Sequence, residues 1–234
     1  MAVFDFHSHI LPGADHGSAD LNTSLAQLKL MSDAGTEFAV ATPHFYPNDH
    51  TISRFSEKIA ASVEKLNGAA PFPAPTLFWG AEVLVCRNLE KMEGLDSLCI
   101  RGTKVILLEL PFETLTDKHV ETVEALISDG YTVVLAHIDR YIKHYADVID
   151  EMLELGALAQ INAQGLNSFS TKRKLMHYVK NTDRVCAIGS DLHGADQKDY
   201  KRFVSCKKIL GEYFDVITSR TAELLKDAEP ISFK

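Results

Sequence analysis

Cysteine is sparse in this 234-residue chain: Cys86, Cys99, Cys186 and Cys206 are far apart, and no C-x-x-C pair exists. Such spacing supplies neither a disulfide framework nor a zinc ribbon, and the four read as reduced thiols of a cytoplasmic protein. Arginine is missing six positions after each of them, where Met92, Val105, Leu192 and Glu212 stand instead. That excludes the C-x5-R loop of thiol phosphatases. There is also no glycine-rich loop of the kind that cradles nucleotide phosphates. No apolar run approaches the ~20 residues that span a bilayer, so membrane insertion is not expected. Candidate ligands begin within a few residues of Met1, and no signal peptide is expected. Positive charge is short as well, with 24 Lys and Arg against 32 Asp and Glu, a net charge of −8. No block of consecutive Lys/Arg provides a phosphate-binding patch, which argues against a nucleic-acid partner.

What remains is an ordinary globular composition, 46% hydrophobic and 24% charged, arranged as apolar runs alternating with amphipathic stretches. Asp20 is placed to cap a helix with Leu21, Leu25 and Leu28 on one face, stopped by Gly35. Further helices are expected over 52–66, 116–128, 142–155, 171–179 and 200–213, three of them ended by Gly130, Gly156 and Gly211. Pro71, Pro73 and Pro75 make a stiff connection too short to be a domain linker. Seven strands fit between these segments, the sixth over 157–162. Strands alternating with helices imply parallel pairing through right-handed crossovers. An open doubly wound sheet would gather its ligands at one switch point. Here polar residues follow nearly every strand, which suits a closed barrel with one functional face. The expectation is an α/β fold, an irregular seven-stranded parallel (β/α)7 barrel forming a single domain over residues 1–234.

Six histidines and three carboxylates sit at those strand exits. Val3-Phe4-Asp5-Phe6 runs into His7-Ser8-His9 and then Asp15-His16. His44 follows one apolar run, Glu82 another, and Glu109 and His137 close two more. Asp191 and His193 come just after Val185-Cys186-Ala187-Ile188-Gly189. An isolated H-x-H is more often a surface or core coincidence. On extended backbone, however, His7 and His9 point the same way, and neutral nitrogen donors suit zinc, iron or manganese. Glu109 interrupts an apolar run, where an unpaired carboxylate would be costly, so it needs a cation or a proton. The small neighbours Gly80 and Ala81 are expected to leave space beside Glu82, as a ligand shared by two ions would require. His50, His119, His144 and His177 lack such placement and read as surface or helix residues.

The stretches DFHSHILPGADHG, ATPH, GAEV, LLELPF, AHIDRY, QINAQ and IGSDLHG together resemble the polymerase and histidinol phosphatase (PHP) superfamily. The resemblance runs from about Asp5 to Asp196 and is nearest to the bacterial capsule-type, metal-dependent tyrosine phosphatases. It implies a PHP-type barrel holding three divalent ions, manganese or iron first, with zinc, cobalt or magnesium as alternatives. One ion would take His7, His9, Glu82 and Asp191. A second would share Glu82 and add Glu109 and His137, and a third would rest on His16, His44 and His193. Two departures stand out. Asp15-His16 replaces the usual Asp-Asp pair, leaving open which of the two binds the third ion. Gln197-Lys198 stands where the family often has an arginine, so Lys198 becomes a candidate contact to substrate.

The implied chemistry is hydrolysis of phosphotyrosine on a protein, expected to be a bacterial tyrosine kinase of capsular or exopolysaccharide synthesis. Adjacent divalent ions generate hydroxide near neutral pH and stabilise both oxygens of an in-line displacement. Arg140 is the candidate catalytic and substrate-binding clamp, because guanidinium meets phosphate oxygens in bidentate fashion. The alternative for it is a surface ion pair with Asp139 or a glutamate. A phenolate leaves with a pKa near ~10, which lessens the demand for a general acid, and no residue stands out as one. Residues 45–53, with Phe45, Tyr46 and Pro47, are expected to wall the site. Three other readings remain: a PHP phosphoesterase on a small metabolite such as histidinol phosphate, a metal-dependent deoxyribonuclease, and a non-catalytic partner in a capsule machine.

Overall fold

The computed structural model of the chain describes residues 2–231 except 68, 71 and 113, so Pro71 of the proline connection lies outside the described residues. The N-terminal half runs through β1 (Phe4–Ser8), α1 (Leu21–Asp33), β2 (Phe38–Ala41), β3 (His44–Phe45), α2 (Ile52–Leu66), β4 (Thr76–Trp79), β5 (Glu82–Leu84) and β6 (Val105–Glu109). The remainder comprises α3 (Asp117–Ser128), β7 (Thr132–Leu135), α4 (Ala146–Glu154), β8 (Leu158–Asn162), α5 (Ala163–Asn167), α6 (Phe169–Asn181), β9 (Val185–Gly189), α7 (Gln197–Leu210) and α8 (Glu212–Leu224). The expected cap is present: Asp20 Oδ1 accepts from the Thr23 amide at 2.8 Å. Its carboxylate satisfies one of the donors a helix start leaves unpaired.

Every strand pairing is parallel, in sheets ordered β1-β2-β4 and β3-β5-β6-β7-β8-β9. Among the described residues the strands number nine, not the expected seven, because two runs are interrupted. Thr42-Pro43 separates β2 from β3, and proline has no N–H for the ladder. Gly80-Ala81 separates β4 from β5. A Cβ on Gly80 would stand 3.0 Å from both N and Cα of Ile100. Glycine at that position therefore allows a close approach to the Ile100 backbone. β1 also meets the chain beyond β9, with the His9 amide donating to Leu192 O at 3.2 Å and the Asp191 amide to His7 O at 2.8 Å.

Two register irregularities interrupt the ladders close to the strand exits. Between Asp5 and Ser8, β1 carries one residue more than β2, and a similar shift lies between β8 and β9 beside Gln160. Side chains alternate with period two along a strand, so one extra residue reverses the faces beyond it. The apolar side chains form two clusters. The larger packs strands against helices, through Leu28, Ile59, Val123, Met152, Leu175 and Phe203 among others. The smaller joins Phe6, Val40, Phe78, Leu107, Val134 and Ala187 from six different strands.

Helix boundaries depart from expectation where polar contacts intervene. The helix expected from Ile142 begins at Ala146, because residues Ile138–Arg140 form a 3-10 turn and Tyr141 is tied by its hydroxyl to Leu110 O at 2.6 Å. α7 starts at Gln197 rather than Tyr200, capped by Asp196. The apolar pattern announces neither α5 nor α8. Two of the four buried side chains of α8 are Thr218 and Thr221, which mutes its apolar period. Thr221 Oγ1 donates to Cys186 O at 2.7 Å and pins α8 to β9.

Candidate metal centre

The strands deliver their terminal side chains to one place. His7 Nε2 and His9 Nε2 lie 3.1 Å apart, confirming that the two imidazoles face the same point. Glu82 Oε2 is 3.2 and 3.3 Å from these nitrogens, and Asp191 Oδ1 is 3.6 and 3.3 Å from them. Four ligand atoms around one ion at the usual ~2.0–2.2 Å would be separated by about 3.4 Å. The observed spacing fits that cage. Beside it, His137 Nε2 is 2.7 Å from Glu82 Oε1 and 3.6 Å from Glu109 Oε1. His44 Nδ1 stands 3.0 Å from Glu82 Oε2 and 3.7 Å from Glu109 Oε2.

Three groups of donor atoms could each hold a cation: His7, His9, Glu82 and Asp191; His44, Glu82 and Glu109; and His9, His44 and His193. The first coincides with the expected set. The second brings His44 to Glu82 and Glu109, with His137 touching both carboxylates. In the third, His9 takes the place expected of His16. His16 instead lies ring against ring beside His44 and His193, at 4.9 and 4.7 Å between centroids.

The donor chemistry fits metal better than protons. Glu82 Oε2, His44 Nδ1 and His193 Nε2 are buried without a hydrogen-bond partner, although the first two are only 3.0 Å apart. Buried acceptors at contact distance without hydrogen bonds are expensive unless a cation joins them. Burial opposes ionisation of Glu82, but His7, His137 and His44 hold its carboxyl well below the usual range. Glu109 moves the other way, raised by burial and by the neighbouring Glu82 charge. His193 is pushed down to about 4 by burial and by His9, which leaves its imidazole neutral and able to donate a lone pair.

A second tier of polar groups fixes the ligands, and the sequence pattern alone assigns it no roles. Asp15 Oδ2 accepts from His9 Nδ1 at 2.6 Å and from the His44 amide at 3.0 Å. It thereby turns His9 Nε2 inward, toward the other donor atoms. Gln160 Oε1 accepts from His7 Nδ1 at 3.2 Å and from the His137 amide at 2.6 Å. Gln160 Nε2 donates to Asn162 Oδ1 at 2.8 Å, and Asn162 Nδ2 to Asp191 Oδ2 at 2.9 Å. Orienting partners of this kind set the tautomer and aim of a ligating imidazole. A Cβ on Gly189 would come within 2.6 Å of both Gln160 Nε2 and His7 Cβ, so only glycine permits this approach. His137 and Asp191 themselves have positive φ, 31° and 53°. Such conformations cost ~1–3 kcal/mol each and persist where surrounding contacts impose them.

Arg140 reaches into the centre rather than pairing with Asp139. Its guanidinium contacts Asp191 Oδ2, lies 3.8 Å from Glu109 Oε1 and covers the Phe112 ring at 5.6 Å. Asp139 is buried and accepts from the Asn162 amide at 2.9 Å. Above the cluster opens a cavity of about 710 Å³ lined by Tyr46, Arg87, Phe112, His119, Arg140 and His193, among others. His119, read from sequence as a surface or helix residue, both receives the Thr116 amide at the start of α3 and reaches this cavity. Phe45 does not wall the site: it is fully buried in the core, and Tyr46, stacked on His44 at 5.3 Å, takes that place. Lys198 is exposed in the first turn of α7 and is not among the residues lining the cavity.

Parallel strands that bring imidazoles and carboxylates together define an α/β protein with donor groups able to hold metal. The chain belongs to the capsular polysaccharide synthesis CpsB/CapC family, whose model matches residues 3–224. It is 26% identical over 208 residues to tyrosine-protein phosphatase CpsB of Streptococcus pneumoniae, covering 84% of this chain and 85% of that one. Tyrosine-protein phosphatase YwqE of Bacillus subtilis strain 168 is 24% identical over 234 residues, covering 95% and 91%. A solved structure from work on YwqE of B. subtilis and CpsB of S. pneumoniae, described as metal-dependent tyrosine phosphatases, shares the fold. It superposes with a TM-score of 0.78 at 22% identity, covering 97% of this chain and 96% of that one. No helix among the described residues is long and apolar enough to cross a membrane.

Proposed function

We propose that the protein is a metal-dependent protein-tyrosine phosphatase of capsular or exopolysaccharide synthesis, acting on phosphotyrosine of a bacterial tyrosine kinase in the cytoplasm. The observation that carries this reading is the pair of adjacent donor groups sharing Glu82, set beneath a cavity that ends at Arg140 and the aromatic side chains of Tyr46 and Phe112. Family membership and the names of the relatives support it. The nine strand segments are best understood as seven units of a closed parallel (β/α)7 barrel, with β2/β3 and β4/β5 each one interrupted strand. Residues 1–234 then form one domain.

Three divalent ions, manganese or iron, would be held by His7, His9, Glu82 and Asp191; by Glu82, Glu109, His44 and His137; and by His9, His44 and His193, with His16 alongside. When bound, such ions activate water at neutral pH and neutralise charge on the phosphoryl oxygens. The chain's own groups do the rest. Asp15 and Gln160 keep the imidazole lone pairs of His9 and His7 turned inward. Arg140, its side chain 33% exposed, is free to trade its carboxylate contacts for two phosphoryl oxygens. Tyr46 and Phe112 offer flat faces to a phenyl ring. Phosphoryl transfer needs mainly positioning and charge neutralisation, so this complement suffices.

The decisive experiment measures the metal content of untreated protein by mass spectrometry, then phosphate release from a phosphotyrosyl peptide and from histidinol phosphate in parallel. Phosphotyrosine is expected to be the better substrate. No release from phosphotyrosyl peptide with any divalent metal would sink the reading, and preference for histidinol phosphate would replace it with the metabolite phosphoesterase.

A further inference from the structure

The start of α6 has no role in the metal centre, and its surface is unusual for this chain. Phe169 is completely exposed, at 101% of its reference surface. Lys172, Arg173 and Lys174 follow within two turns, all exposed. From 168 to 181 the segment contains these cations and Lys180 but no Asp or Glu, within a protein of net charge −8. The triplet corrects the expectation that no consecutive cations provide a basic patch. Among the described residues, the ion pairs nearby in the sequence, such as Arg184 with Asp183 and Arg202 with Asp199, leave the cations of α6 unengaged.

A groove of about 910 Å³ runs beside this patch, between Phe169, Arg173, Lys174 and His177 on α6 and Ile142 and Ala146 opposite. Lys174 Nζ donates to Ile142 O at 3.1 Å and closes one wall. One acid lines it, the exposed Asp150, whose Oδ1 accepts from the Tyr178 hydroxyl at 2.7 Å. Both walls leave ligand-bearing strands: Ile142 lies just beyond His137, and Phe169 just beyond Asn162, whose amide holds Asp191. Both walls thus follow strand exits, the side of a parallel α/β fold on which the ligand-bearing residues lie.

Resting on the phosphatase reading, we propose that this face is a second docking site for the phosphoprotein substrate, taking an acidic segment with an apolar residue near the phosphotyrosine. A chain of charge −8 repels a phosphoprotein at long range, so a local cationic patch supplies the attraction on this side. Its reach is about one Debye length, ~8 Å at physiological salt. The exposed Phe169 at its edge supplies the apolar contact that charge alone does not.

The test compares wild type with Phe169→Ala and with Lys172→Glu/Arg173→Glu. Substrates are a tyrosine-phosphorylated Glu/Tyr copolymer and p-nitrophenyl phosphate. The charge reversal is expected to lower kcat/KM on the copolymer about tenfold at low salt, chiefly through KM, and the alanine variant about threefold. The charge-reversal deficit shrinks at high salt while the alanine deficit persists, and p-nitrophenyl phosphate turnover stays unchanged in both. Binding of unphosphorylated copolymer, read by fluorescence anisotropy, weakens in step. Unchanged copolymer affinity overturns the proposal, as does an equal loss on the small substrate. So does a purely oligomeric change in sedimentation, or stronger binding of an oligonucleotide than of the copolymer at the same patch. Failure of the phosphatase reading shows separately, as wild type that binds copolymer yet releases no phosphate from any phosphotyrosyl substrate.

Discussion

The same strands build two neighbouring regions that solve burial in opposite ways. In the smaller core cluster, Phe6, Val40, Phe78, Leu107, Val134 and Ala187 meet as apolar surfaces. Further along, His7, Glu82, Glu109, Gln160 and Asp191 meet as polar nitrogens and oxygens, mostly as deeply buried. The first region gains ~25 cal/mol for each Å² of apolar area removed from water. The second must offset several kcal/mol of desolvation per charged group, an offset that a bound cation would supply. Stability is invested at one level of the sheet and reactivity at the next.

Substitutions at the two levels should separate these contributions. Asp191→Ala removes a donor from the first cage and is expected to lower kcat by about 10³-fold or more while leaving thermal unfolding of the metal-free protein little changed. A comparable fall in Tm would erase the contrast. Phe78→Ala, in the apolar level, should cost ~3–5 kcal/mol in denaturant unfolding with kcat of the surviving folded protein retained. Gln160→Leu lies at the boundary. Loss of its bonds to His7 and His137 should weaken metal affinity ~10–100-fold, measured by competition with a chelator. Arg140→Lys keeps the charge but loses the planar fork. It should lower kcat/KM on phosphotyrosyl peptide by about tenfold and leave bound metal unaltered.

The legibility of the sequence follows the same division. His7, His9, Glu82, Glu109, His137 and Asp191 can be found because each directly ends or follows an apolar run, and a charged group there has few structural uses. Gln160 and Asn162 give a weaker signal: neutral amides after a strand pass as ordinary loop chemistry, and the worth of Gln160 lies in partners 23 to 153 residues away. The displacement of His16 by His9 in the third donor group depends on ring orientation, which spacing does not encode. Parallel α/β alternation is readable from period alone, whereas the interruptions at Thr42-Pro43 and Gly80-Ala81 are not, since the apolar character continues across them. Lys172-Arg173-Lys174 disappears into the chain's average charge, an average that conceals a local surface.

The extra residue in β1 carries a consequence for any engineered or natural length variant. Counting along an uninterrupted strand, Phe6 and His7 would project to opposite sides, yet Phe6 joins the inner apolar cluster and His7 meets the ligands above it. Only Phe6 and His7 lie between Asp5 and Ser8, so shortening the strand there by one residue either takes a side chain from the apolar filling and reverses the faces beyond it, or removes a ligand outright. In both cases the cation cradle is lost.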